Sequence, residues 1–204
     1  MESRAATPSN VARQNRRDDA TVASPSISGA PAPSPEPAPA PTPRTALRLP
    51  LDAPQIVVVK SKRRLMLYSG GEVVRTYPVA LGLNPVDDKE REGDRRTPEG
   101  DFYVFVKNEK SAFYLSLGLS YPNIEDAERG LREGLITKAQ HAQIVRAIKR
   151  REAPPQYTRL GGLIYIHGGG TTSDWTWGCI ALENADIKEL FDAVPRGTSV
   201  RIEH

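Results

Sequence analysis

Cys179 is the only cysteine in 204 residues, and His167 stands twelve positions before it. A thiol becomes a strong nucleophile as its thiolate, so it needs a base within hydrogen-bond reach. His167 is the nearest candidate in sequence. It ends a short apolar run (residues 163–166) and is followed at once by Gly168-Gly169-Gly170. A loop of this length between the two can bring their side chains together. An acyl-transfer nucleophile also needs N–H donors for the developing oxyanion. Gly178, just before Cys179, leaves the backbone open to a substrate because it has no Cβ. By itself the pairing fits a bland reading equally well, in which the cysteine is a small buried apolar residue and the histidine a satisfied strand-end group.

One cysteine excludes an internal disulfide and a CxxC redox pair. The three histidines, His141, His167 and His204, fit no zinc-ligand spacing with it, so no metal is expected. The triple glycine lacks the Lys-Ser/Thr ending of a phosphate-binding loop. Arg96, with Arg95 and Lys89, forms a cationic stretch able to meet a carboxylate, or to be simply a solvated loop. Trp177 and Trp175 offer aromatic faces for stacking or for packing. Tyr121, ahead of Pro122-Asn123, is placed near a cleft by position alone. Trp177, Thr176, Arg96 and Tyr121 are therefore the candidate substrate contacts. His141 falls on a helix and is read as a surface residue.

The elements that must carry these groups are mostly β. Residues 55–59, 65–68 and 73–81 read as a meander, with a polar turn over 60–64 and a hairpin turn at Ser69-Gly70-Gly71-Glu72. Pro78 demotes part of the third strand to an edge or bulge. Residues 102–106, 163–166 and 199–202 give three further strands. Between residues 123 and 151 the period turns helical. Asn123 caps one helix, with Glu125 and Asp126 in its first turn and Gly134 at its end. Thr137 and Gln140 form a capping box for a second, whose apolar face carries Ile144, Val145 and Ile148. Residues 186–193 read as a third helix. The fold class is therefore mainly β of the α+β kind, with a helical insertion at about 123–151. That insertion either covers the site or is a solvated decoration.

Residues 1–53 are a separate region. Ten of the 18 prolines lie in residues 1–50, and residues 30–43 alternate proline with small residues. Such a segment is an extended spacer, expected to be disordered. Residues 54–204 form one domain, long enough for a sizeable core. The net charge of +3 is mild, with both signs mixed, and gives no ground for nucleic-acid binding. No apolar run reaches the length of a membrane span, and no signal peptide is visible. A monomer is expected.

His167-Gly168, followed by Thr176-x-Gly178-Cys179-Ile180-x-Leu182, resembles the active-site signature of the YkuD-type L,D-transpeptidase domain. The segment with Thr97-Pro98-Glu99-Gly100 at its centre is similar to the family's entry into a core strand. The opening strands, with Val79-Ala80-Leu81-Gly82 after them, match in the same order. The resemblance covers roughly residues 55–203. It implies a β-sandwich of mixed sheets and a cysteine acyltransferase without metal or organic cofactor. Its substrates would be peptidoglycan stem peptides: a tetrapeptide stem acylates the cysteine, releasing D-alanine, and an amine acceptor takes the acyl group. Crosslinking (3→3) and lipoprotein attachment are two outcomes. Hydrolysis of stem-peptide bonds by the same pair is the alternative, and a catalytically silent wall-binding module is another. Carried onto this chain, Cys179 is the nucleophile and His167 the acid/base. The Gly168 carbonyl orients the imidazole, and the Gly178 and Cys179 amides form the oxyanion hole. The location implied is the cell envelope or periplasm. Two positions depart from the pattern: Ala181 stands where the family usually has Arg, and Trp177 where it often has His.

Overall fold

The computed structural model describes residues 45–204, so the proline-rich spacer lies, up to residue 44, outside the described residues. The meander forms as β1 (Gln55–Val59), β2 (Arg64–Ser69) and β3 (Glu72–Pro78), all antiparallel. Alternation decides which side chains go inward. Ile56 sits opposite Leu67 and Val58 opposite Leu65, and all four are buried. Gly70 and Gly71 take φ of +57° and +84°, which is why two glycines occupy the β2–β3 turn. β3 stops at Pro78 rather than running to residue 81. Beyond it only Ala80 and Gly82 make isolated bridges, since a proline cannot donate to a ladder.

The centre of the sheet is built from distant pieces. The C-terminal β8 (Ser199–Glu203) inserts between β1, which it pairs in parallel, and β4 (Gly100–Ser111), which it pairs antiparallel. β4 is longer than the expected 102–106. Its first part pairs with β8, and from Val104 onward, across a register shift at Val104/Val106, it pairs with β5 (Tyr114–Leu119). One strand thus serves two ladders and bends between them. β5 continues to β6 (Tyr165–His167) and then, in parallel, to β7 (Ile180–Ala181). The strand order is β3-β2-β1-β8-β4-β5-β6-β7. Ala80, just after β3, bridges Ala181 of β7, so the mixed sheet curls until its two ends meet. Inside the curl, Ile56, Leu67, Val104, Leu117, Ile166 and Val200 share one core, closed by Ile187 and Leu190 of α3 (Asn184–Ala193). Leu47 and Leu51 also pack on it, so packing reaches a few residues ahead of the expected boundary at 54.

The helical segment is a pair, α1 (Ile124–Arg132) and α2 (Lys138–Lys149). Both expected caps form as reciprocal boxes, Asn123 with Asp126 and Thr137 with Gln140. Ala127, Ile136, Ile144 and Leu160 make a second small core. Gly130 leaves room there for Leu160, whose Cδ2 lies 2.7 Å from where a Cβ would stand. None of the helices among the described residues is long and apolar enough to cross a membrane.

The polar turn expected at 60–64 begins with a charge that the fold takes inside. Lys60 is fully buried, and its ammonium donates to Asp87 O (2.8 Å), Thr97 O (3.0 Å) and Glu99 Oε1 (2.9 Å). Those acceptors are supplied by a loop far along the chain. They satisfy a charge that would otherwise be too costly to bury.

Candidate active site

β6 and β7 lie side by side with His167 in register with Ala181. Cys179 stands just ahead of β7, one residue outside the ladder. His167 is held on both edges, pairing also with Ser116 of β5. Its Nδ1 is 2.6 Å from Gly168 O. A carbonyl only accepts, so Nδ1 carries the proton and Nε2 keeps its lone pair. Phe113 stacks on the imidazole (centroids 4.6 Å, 25°), and Trp175 meets it edge-on at 5.6 Å. Gly168 is packed so tightly that a Cβ would run into Asn184 Oδ1 and lie 2.8 Å from Phe113 O. Burial lowers the pKa of His167, against the opposing pull of the Gly168 carbonyl. At neutral pH it is a neutral imidazole.

The Cys179 thiol lies 3.5 Å from Leu163 O. Burial pushes its pKa up to about 11, against a backbone hydrogen bond from Tyr165 and the charge of Lys89. The resting pair is therefore thiol and imidazole, both uncharged. Cys179 and Leu163 form the shared wall of two hollows. One, of about 520 Å³, is bounded by Lys89, Glu92, Tyr157 and Trp177. The other, of about 340 Å³, is bounded by Lys110, Phe113, Tyr165 and His167. A thiol between two recesses can be approached from both sides.

The turn that presents Cys179 is tied from within. Thr176 is 3% exposed. Its hydroxyl donates to Cys179 O (2.7 Å) and accepts from Gly178 N–H (3.2 Å). Gly178 has φ +128°, and a Cβ there would stand 2.7 Å from Arg96 O. Backbone is thus packed against backbone next to Cys179. Asp174 fixes the preceding loop: it accepts Leu81 N–H (2.8 Å) and is gripped by Arg63 Nε and Nη2 (3.1 and 2.7 Å).

The sequence candidates fall into distinct places. Cys179 and His167 face one hollow, with Gly168 and Gly178 behind them as the close-packed glycines. The Gly178 amide, however, is already bound to Thr176, so only the Cys179 amide is left of the pair assigned to the oxyanion hole. Trp177 is 68% exposed at the larger hollow, with the Arg95 guanidinium 4.8 Å over its ring. Thr176 holds the turn from inside and does not line either hollow. Arg96 spends its guanidinium on Asp87, Glu90 and the Asp88 carbonyl. Its backbone, not its charge, touches the site. Lys89 is buried and paired with Asp94 at 2.7 Å. Tyr121 is fully buried, its hydroxyl donating to Leu160 O (2.8 Å), and packs on Phe102 rather than lining a cleft. Trp175 belongs to the histidine's aromatic cluster. Ala181 is fully buried between His167 and Ala80, where its N–H donates to Ala80 O. Neither α1 nor α2 lines either hollow; the wall comes from residues 156–164 that follow them.

Sequence reasoning missed Phe113 and Arg63. Phe113 sits at the turn of the β4–β5 hairpin, and β5 itself, Tyr-Leu-Ser-Leu-Gly-Leu, alternates with period two from Leu115 to Leu119, a strand signal that the sequence reading passed over. Arg63 is 111 residues from Asp174, and no local signal joins them.

The L,D-transpeptidase catalytic domain model (YkuD) matches residues 53–202. The chain belongs to that family. Among solved structures, this L,D-transpeptidase domain is similar to the helical cell shape determining protein Pgp2 from Campylobacter jejuni. That match has 22% identity and a TM-score of 0.51, over 76% of this chain and 48% of that one. An L,D-transpeptidase from Xylanimonas cellulosilytica follows at 23% identity and TM-score 0.44, over 80% and 64%. L,D-transpeptidase 1 of Mycobacterium tuberculosis matches at 18% and 0.43, over 75% and 62%. The chain thus spans about half to under two-thirds of these proteins' lengths. No curated protein matches it at the sequence level. At such identities the structural match speaks to the fold, and family membership supports a cell-wall transpeptidase-type function.

Proposed function

We propose that this domain is a peptidoglycan cysteine acyltransferase. The observation that carries the reading is Cys179 at the wall between two hollows, with the neutral His167 facing one of them. In the first half-reaction Nε2 of His167 takes the thiol proton as Sγ bonds to the carbonyl carbon of a stem peptide. The oxyanion is met by the Cys179 N–H. The C–N bond then breaks, the leaving amine takes the proton from His167, and a thioester remains. In the second half, an acceptor amine attacks the thioester carbonyl and gives a proton to the imidazole, which returns it to the departing thiolate. The raised thiol pKa means that the proton moves during attack rather than before it. The donor stem occupies one hollow, and the leaving and attacking amines share the side of His167. Such substrates place the domain at the cell envelope.

The test is intact-mass and product analysis with a disaccharide-tetrapeptide, beside Cys179→Ala. Crosslinked dimers from the native protein alone support transfer. Tripeptide without dimers means that water takes the thioester and the domain is a hydrolase. No product and no adduct on Cys179 would make it a silent wall-binding module.

A further inference from the structure

In the reaction above, a positive charge develops at His167, and the fold gives it no counter-ion. The residue is buried, and its ring holds a second proton while the thiol proton is in transit. An imidazolium in such a place is costly unless something meets its charge. Among the described residues no carboxylate pairs with the ring. Asp174, on the loop after β6, is engaged by Arg63 and the Leu81 N–H. Glu183, after β7, takes the N–H and the hydroxyl of Thr171 (both 2.8 Å). The titratable side chains that share the hollow of His167 are Lys110, Tyr165 and Cys179, none of them an anion at neutral pH. The Gly168 carbonyl meets Nδ1 alone. Aromatic carbon meets the rest of the ring.

Phe113 lies nearly parallel to the imidazole, with centroids 4.6 Å apart and 25° between the planes. The negative face of its π system is thus turned to the ring that becomes positive. The fold places this phenyl ring deliberately tightly from several sides. Ser111 and Tyr114 are the last pair of the β4–β5 ladder, Tyr114 turns with φ +74°, and Phe113 N–H donates to Ser111 Oγ (3.1 Å). Phe113 O accepts the Gly168 N–H (3.1 Å), which ties the hairpin tip to the residue after the histidine. Trp175 stands against the phenyl ring (centroids 5.4 Å), its own Nε1–H on Gly170 O (3.2 Å). Phe113 remains 45% exposed where it borders the smaller hollow. A substrate filling that hollow excludes water from the ring, and a cation–π contact strengthens when it is desolvated.

We infer that Phe113 is a positioning residue that acts through His167: its ring face holds the imidazole against the Gly168 carbonyl and stabilises the imidazolium formed while the thiol proton is on the ring. This rests on the acyltransferase reading above, with His167 as the carrier of that proton. The tip of the β4–β5 hairpin therefore serves the chemistry as well as the wall of the hollow. An aliphatic side chain of similar size would cover the histidine and leave its charge unmet.

The experiment compares the full chain with its Phe113→Leu and Phe113→Tyr variants. Titration of His167, one of three histidines, is followed by nuclear magnetic resonance of its ring, and acylation of Cys179 by a carbapenem is followed by intact mass across pH. Leucine keeps the apolar cover and removes the π face. In Phe113→Leu the His167 midpoint should therefore fall by roughly half to one pH unit, and acylation on the plateau should slow about three- to tenfold. Phe113→Tyr keeps the face and should behave like the native protein in both measurements. A midpoint that rises in Phe113→Leu would mean that the ring only shields the histidine from water. An unchanged midpoint would mean that the ring does not act on the charge at all. Either result overturns the inference and leaves the acyltransferase reading standing, as does a tyrosine variant that fails as badly as leucine. If acylation of the native protein shows no limb that follows the His167 titration, the histidine is not the base, and the acyltransferase mechanism falls together with this inference.

Discussion

Replacing Thr176 by valine removes one hydroxyl and keeps the shape. In the structure that hydroxyl makes two bonds, to Cys179 O (2.7 Å) and from Gly178 N–H (3.2 Å), at a residue 3% exposed. Valine leaves both backbone groups without this partner. A buried group left unsatisfied costs about 1–3 kcal/mol, and the longer bond falls at the low end, so the pair is worth about 2–3 kcal/mol. For a domain of this size 1 kcal/mol moves the melting temperature by about 2–4 °C, so the midpoint should fall by about 7 °C. The larger effect is on chemistry. Without the tie, the turn carrying Cys179 is free to rotate and the Gly178 amide to swing, and misplacing a nucleophile by about 1 Å can cost on the order of a hundredfold in rate. The assay is carbapenem acylation of Cys179 by intact mass, beside thermal unfolding followed by circular dichroism. Thr176→Ser keeps the hydroxyl and should retain most of the acylation rate. If Thr176→Val melts and acylates like the native protein, the hydroxyl does not organise the turn. If serine fails as badly as valine, the methyl contact matters and the hydrogen bonds do not.

Three further outcomes follow from the same geometry. The pH dependence of Cys179 acylation should rise through a midpoint below the ordinary imidazole value of 6.5, hold a plateau, and rise again toward about 11 as free thiolate appears. In His167→Ala the lower limb should vanish and the upper one remain, as read by stopped-time alkylation with iodoacetamide. Gly178→Ala should lose about 2–3 kcal/mol from strain at φ +128° and from the approach to Arg96 O, and should acylate far more slowly. Gly71→Ala, also at positive φ but with open space around it, should cost less in denaturant unfolding and leave acylation unchanged. Lys60→Met should cost about 3 kcal/mol, because the buried Thr97 carbonyl, the Asp87 carbonyl and the Glu99 carboxylate lose their shared donor. Chemical denaturation with a native-like spectrum at zero denaturant would measure it, and a neutral result would mean that the loop at 87–99 is held by something else.

The local features were legible because their causes are local. Both helix caps, the Gly70-Gly71 turn and strands β1 and β2 all depend on residues within a few positions of one another. The family signature added the order of the elements around Cys179 and His167. The tertiary structure decided what depends on distant partners. It placed β8 at the centre of the sheet, made β4 bend to serve two ladders, and revealed β7, too short to read. It also sorted the cations. Lys89, Arg95 and Arg96 look alike in a row of charges, yet one is buried against Asp94, one lies on Trp177, and one is occupied by Asp87 and Glu90. Thr176 and Tyr121 likewise became internal ties, because their hydroxyls found buried carbonyls. Residue type determines what a side chain is able to do, and the sequence states that much. Which charges and hydroxyls remain free to act depends on partners brought near by folding, and here that leaves Cys179 and His167 beside one pair of hollows.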